Sequence, residues 1–219
     1  MNYQFEPMTP MEIEQKSMAT IREELGGRVF SPETEPIVLR VIHTTADFDY
    51  ADNLVFSENA VEAGIAALRG GASIVTDTRM AQSGINGHVL GSFGGRVYNF
   101  VADAEVSAEA KRRACTRSIV AAERAAALGV PLVWAVGNAP TSLIRLCELL
   151  EEGSVPAPLL VVGVPVGFVH VVEAKEQLIA TLSERAIPYI VARGRKGGSN
   201  VAAAICNALL YRASADRRE

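Results

Sequence analysis

The chain has 219 residues, 49% hydrophobic, 21% charged and only 6% aromatic. One globular domain over residues 1–219 is expected, with a core of Ala, Val, Ile and Leu large enough to need neither metal nor disulfide. A net charge of −4 excludes a surface wholly devoted to nucleic acid, though not a local basic site for an acidic small molecule.

The polar opening stretch, residues 1–10, has no apolar signal-peptide core. No apolar run approaches the roughly 20 residues of a membrane span. The longest, residues 159–166, is interrupted by Gly163 and Pro165. Cys115, Cys147 and Cys206 are far apart and match no zinc or CxxC spacing, so they are read as packing residues in a reducing compartment. A cytoplasmic protein is expected, with no membrane and no nucleic-acid partner.

Thr9-Pro10-Met11-Glu12 is a capping-box start for a helix that runs to about Leu25 and stops at Gly26-Gly27. A second helix is expected from Ser31-Pro32 through Val38, Val41 and Ile42, and a third from Ser57 to Gly70-Gly71. Strands follow at 74–76 and 97–100, then one long Ala-rich helix over 107–128. From there the pattern alternates: strand 132–136, helix 141–152, strand 159–162, helix 173–185, strand 189–192, helix 200–211. The tail from Ser214 is charged and expected to fray. Short apolar strands between amphipathic helices predict an α/β fold. A mostly parallel sheet is covered by helices on both faces, as a three-layer αβα sandwich in a single domain.

In such a sheet, ligands bind beyond the carboxyl ends of the strands. Glycines and polar residues concentrate there: Asp77-Thr78-Arg79-Met80; Gly137-Asn138-Ala139-Pro140-Thr141; Gly163-Val164-Pro165-Val166-Gly167-Phe168; and Arg193-Gly194-Arg195-Lys196-Gly197-Gly198-Ser199. The last opens a helix and carries full positive charges, which suits a carboxylate or phosphate. It has neither Walker nor dinucleotide glycine spacing. A solvated basic turn remains open for it, as does a simple helix cap for Asn138 or Thr141. The 163–168 loop is apolar and reads as a floor for a flat ligand or as a buried turn.

Arg117, read as lying within the long helix, shares a face with Ala114, Val120 and Ala121. A charge there must be paired or must reach a ligand or partner chain. Lys111, Arg112 and Arg113 read as solvated. His88 and His170 read as structural or exposed. His43, with Arg40 at i−3 and Asp47 at i+4 if its helix persists, and Thr44 and Thr45 directly after it, could carry a proton near neutral pH. No nucleophile elbow and no metal-ligand cluster occurs. An acid/base His, anion-binding loops and an apolar floor suit proton-assisted rearrangement of a large acidic molecule better than hydrolysis or redox.

The segments Arg40-Val41-Ile42-His43, Thr76-Asp77 with Met80 and Gly84, and Thr116-Arg117-Ser118 stand in a fixed order with Gly137-Asn138-Ala139-Pro140-Thr141, Pro165-Val166-Gly167-Phe168-Val169, Arg193-Gly194-Arg195 and Gly197-Gly198-Ser199. Together they resemble the precorrin-8X methylmutase family of cobalamin biosynthesis, from Glu14 and Ser17 to about Asn207. The resemblance implies an isomerase without organic cofactor or metal. It would move a methyl group from C-11 to C-12 of precorrin-8X, giving hydrogenobyrinate, or of the cobalt-containing ring, giving cobyrinate. It also implies a homodimer with the site near the interface, His43 as the catalytic proton donor or acceptor, and Ser17, Arg40 and Arg117 as substrate contacts. Thr44, Asp77, Met80, Asn138, Pro140, Thr141, Pro165, Val166, Gly167, Phe168 and the 193–199 loop would complete the substrate site. Ala174 stands where the family often has Ser before the Lys matching Lys175, and Arg79 stands in a variable place. Two other readings stay open: a non-catalytic corrinoid carrier, and a transferase holding a phosphate ligand on the 193–199 loop.

Overall fold

The computed structural model describes residues 7–215. Helix α1 (Pro10–Glu24) begins as the capping box dictates: the Thr9 hydroxyl accepts from the Glu12 N–H, and the Glu12 carboxylate accepts from the Thr9 N–H at 2.7 Å. Helix α2 (Glu35–Thr45) starts later than its Ser-Pro signal. Residues 31–34 form a turn closed by the Thr34 N–H on the Ser31 carbonyl, and Pro36 then seeds the helix. It ends at Thr45, and Ala46 caps it in the left-handed conformation at φ 51°.

A short helix α3 (Tyr50–Asn53) and strand β1 (Leu54–Phe56) follow, neither expected from sequence. Next come α4 (Ala60–Arg69), β2 (Ser73–Thr76), α5 (Arg79–Gly84), α6 (Gly87–Ser92) and β3 (Val97–Tyr98). Thr78 caps α5 on the Ala81 N–H, and Asn86 caps α6 on the Val89 N–H, which explains two short helices in a stretch that reads as loop.

The expected helix over 107–128 is two helices, α7 (Ala104–Arg112) and α8 (Arg117–Ala126). Ala114 turns left-handed at φ 51°, and Thr116 resumes as the N-cap. The break lets α8 fold back so that Val106 and Ala110 pack on Val120 and Ala121. Arg113 pairs with Glu123 across it. The remainder alternates as predicted: β4 (Leu132–Val136), α9 (Pro140–Glu151), β5 (Leu160–Gly163), α10 (Val171–Glu184), β6 (Tyr189–Ala192) and α11 (Ser199–Ala215). Ser214 and Ala215 continue α11, and the rest of the expected frayed tail lies outside the described residues.

The strands form one sheet in the order β1-β6-β5-β4-β2-β3, parallel except for β1, which runs antiparallel to β6. Alternate residues of β4 face opposite layers: Val133 and Ala135 join α1, α2, α4, α5, α6 and α11, whereas Trp134 and Val136 join α8, α9 and α10. The αβα sandwich expected from sequence is thereby present. Beyond β2 the chain crosses to β3 on one side, then returns to β4 on the other. The crevice between the ends of β2 and β4 is thus a topological switch point, where doubly wound sheets bind ligands.

Candidate active site

At that switch point the chain supplies its own anion. Asp77, just past β2 and only 6% exposed, accepts hydrogen bonds from the N–H groups of Gly137 (2.8 Å), Asn138 (2.8 Å) and Ala139 (2.7 Å). These are the amides leading into α9, the place where a phosphate would sit in a nucleotide-binding sheet. Burial raises the Asp77 carboxyl above its ordinary value, and the three amides pull the other way by favouring the charged form. Asp77 braces the 137–141 loop from beneath. Asn138 is exposed above it, Pro140 opens α9, and Thr141 accepts from the Thr116 hydroxyl at 3.2 Å.

The glycines here serve loop-to-loop packing. A Cβ on Gly137 would stand 2.7 Å from the Ser199 Cα and 2.8 Å from the Gly198 oxygen, and one on Gly197 would strike the carbonyls of Val164 and Pro165. The Gly198 N–H donates to the Val164 carbonyl (2.9 Å), and the Gly167 N–H to that of Arg195 (3.2 Å). Ser199 bonds the Thr78 hydroxyl at 2.7 Å. The three loops after β4, β5 and β6, with the one after β2, therefore form one platform.

On that platform the charges divide. Arg193 is held by Glu176 (2.8 Å), and Lys196 by Asp47 and Asp49, each at 2.6 Å. Those carboxylates hold the Lys196 ammonium well above its ordinary range. Arg195 lies over the Phe168 ring at 5.7 Å and enters no ion pair among the described residues. Phe168 is 85% exposed, Met80 70%, and Val166 is also exposed, so the apolar surface expected of the 163–168 loop rises above the platform while Pro165 is buried in it. Beneath the loop lies a residue whose role the sequence reading missed. Lys175 of α10, fully buried, donates 2.8 Å hydrogen bonds to the carbonyls of Gly194 and Lys196. Its position in the stripe Val171, Ala174, Leu178 and Leu182 was the available signal.

His43 is exposed in the last turn of α2 and lines an open groove of about 510 Å³ between α1 and α2. Ser17, Lys16, Ile13, Ile42 and Phe48 share it. The reading that put Asp47 on the His43 helix face is corrected: α2 ends at Thr45, and Asp47 lies beyond the left-handed Ala46, bonded to Lys196. Arg40 pairs with Glu14 at 3.0 Å and stacks over Tyr211. Thr44 is exposed beside His43.

Arg117 is corrected in its surroundings as well. It is the first residue of α8, exposed and without an ion pair among the described residues, rather than a charge embedded in an apolar helix face. Among the described residues no three His, Cys, Asp or Glu side chains gather as metal ligands.

The sequence model of the precorrin-8X methylmutase family matches residues 12–212, and so takes in α1, the platform and nearly all of α11. The chain belongs to the precorrin-8X methylmutase family. A relative from Salmonella typhimurium named cobalt-precorrin-8 methylmutase is 45% identical, covering 92% of this chain and 95% of its own. One from Priestia megaterium with the same name is 42% identical over 94% and 90%. One from Pseudomonas aeruginosa named precorrin-8X methylmutase is 42% identical over 90% and 93%. The crystal structure of precorrin-8X methylmutase from Thermus thermophilus matches with a TM-score of 0.82 at 41% identity, over 93% of this chain and 98% of that one. This methylmutase is thus an isomerase of cobalamin biosynthesis, as the ordered motifs imply.

Proposed function

We propose that this methylmutase moves a methyl group from C-11 to C-12 of a metal-free or cobalt-containing precorrin-8 ring in a [1,5]-sigmatropic shift, with His43 donating a proton to a ring nitrogen. The observation that carries the proposal is His43 itself: exposed in a groove with Ser17, and in no ion pair among the described residues. A protonated ring nitrogen withdraws electrons from the ring and eases methyl migration. General acid help is worth about 10²–10⁴-fold, so binding geometry and the substrate's own reactivity supply the rest.

The substrate is a macrocycle rimmed by acetate and propionate carboxylates. Arg117, Arg195 and Lys16, which enter no ion pairs among the described residues, suit those carboxylates, and Phe168, Met80 and Val166 suit the ring face. Arg40 and Arg193 would have to leave Glu14 and Glu176 to join them. A homodimer whose second copy closes the open site is part of the proposal, as is a cytoplasmic location. Among the described residues no helix is long and apolar enough to cross a membrane.

The test is incubation with metal-free and cobalt-loaded precorrin-8 side by side. Conversion changes the visible spectrum at constant mass. An unchanged isomer ratio with both substrates, despite tight binding, would make the protein a carrier instead.

A further inference from the structure

Two ionisable side chains are buried under the platform, and among the described residues neither has a side-chain counter-ion bonded to it. Among the described residues Asp77 is met only by backbone N–H groups, and Lys175 only by backbone carbonyls. A buried ammonium is costly unless its donors are satisfied, so its retention asks for a reason. Packing is not that reason. The neighbours of Lys175 along α10 are Val171, Ala174, Leu178 and Leu182, and an aliphatic side chain would continue the stripe. What an aliphatic side chain cannot do is hold two carbonyls of the 193–199 loop 2.8 Å from one point.

Those carbonyls are placed with consequence. Gly194 and Lys196 flank Arg195, so fixing both fixes the backbone from which Arg195 projects over Phe168. Lys196 also reaches outward. Its Nζ holds Asp47 and Asp49 in the linker that follows α2, and Asp47 is four residues past His43. One run of hydrogen bonds thus leads from α10, through the loop, to the end of the helix that carries His43. Other charged groups surround it: Glu176 on the same helix, paired to Arg193, and Arg195 and Lys196 on the loop. The adjoining strands β5 and β6 present only aliphatic residues and Tyr189.

We propose that Lys175 is a positioning residue of the methylmutase: its two carbonyl bonds set the substrate-facing loop and, through Lys196 and Asp47, the His43 end of α2. Lys175 touches no substrate and acts only through residues 194–196. The proposal rests on the functional reading above for what the loop binds.

The test is Lys175→Met, near in length and without donors, with Lys196→Ala in parallel. Hydrogenobyrinate is the binding probe, and amide hydrogen exchange over residues 193–197, melting temperature, kcat and KM are read together. In Lys175→Met the freed carbonyls can turn to water, because Gly194 and Lys196 are only partly buried. The expected result is a melting temperature close to the parent's, faster exchange across the loop, and Kd and KM raised by about tenfold or more. Lys196→Ala keeps the carbonyl bonds and breaks only the outward tether, so it should lower kcat more than it raises Kd. In the double variant the effects should fall short of additive, because both act through one loop.

Unchanged loop exchange and unchanged Kd in Lys175→Met would overturn the proposal. So would a collapse of melting temperature shared by Lys175→Gln, or failure of both to fold, because the lysine would then serve folding alone. The two readings fail separately. Normal turnover in His43→Ala removes the proton donor and leaves the effect of Lys175 on Kd standing. An unaltered Kd in Lys175→Met beside an inactive His43→Ala removes only the positioning role.

Discussion

The platform at the strand ends and the groove between α1 and α2 are built on opposite principles. In the platform, four loops are locked by backbone hydrogen bonds, tight glycine contacts and two buried charges, before any ligand arrives. In the groove, His43, Ser17 and Lys16 stand on two amphipathic helices with no bond among them, and Ile13 and Phe48 line an open side. On the proposed reading, a rigid platform sets where a large ring lies, at little entropy cost on binding. On the same reading, the looser groove leaves His43, the proposed proton donor, free to meet it. In the proposed mechanism, binding geometry and proton delivery are therefore separate, and each can be broken alone.

The largest effect is expected at the groove. His43→Ala should lower turnover by about 10²–10⁴-fold, measured as the spectral conversion at constant mass, while hydrogenobyrinate still binds. A loss smaller than about tenfold would reject His43 as the donor.

Next is the platform. Asp77→Ala strands three N–H groups at the head of α9 and should reduce stability by about 3 kcal/mol, read from urea unfolding. It should weaken binding as well, since Asn138 and Thr141 ride on that loop. A variant as stable as the parent would mean that water replaces the carboxylate freely.

The smallest effect is one of pH. Burial lowers the Lys175 ammonium from its ordinary 10.5 to about 8, against the pull of Glu176. The folded chain therefore loses this proton first, and between those values the unfolded chain binds more protons. Stability from this group rises with pH across that window and is lost as pH falls through about 8. The slope reaches at most about 1.4 kcal/mol per pH unit. It should vanish in Lys175→Met, and its survival there would assign it to another group.

Much of this was legible in the chain. The capping box at Thr9, the parallel strands from β4 to β6 and the gathering of Gly-rich loops at their carboxyl ends follow from local stereochemistry and apolar patterning, which the sequence carries directly. The ordered motifs carried the family. The elements that escaped are those whose partners are distant. Strand β1 has three residues and is a strand only because β6 offers it an edge. The break at Ala114 is invisible in an Ala-rich run because helix propensity favours continuation. Packing of Val106 on Val120 overrides it.

The same divide runs through the site. Sequence by itself determined that a helix runs up to His43, that the 193–199 loop opens another, and that Asp77 follows a strand. Only the tertiary structure decided what those groups face. Asp77 reads as one loop carboxylate until the run into α9 brings three amides onto it, and Lys175 reads as one more polar residue until the loop after β6 lays two carbonyls against its ammonium. A charge in a sequence has no fixed meaning, because its free energy depends on the dipoles and water around it, and those are set by chain segments far away.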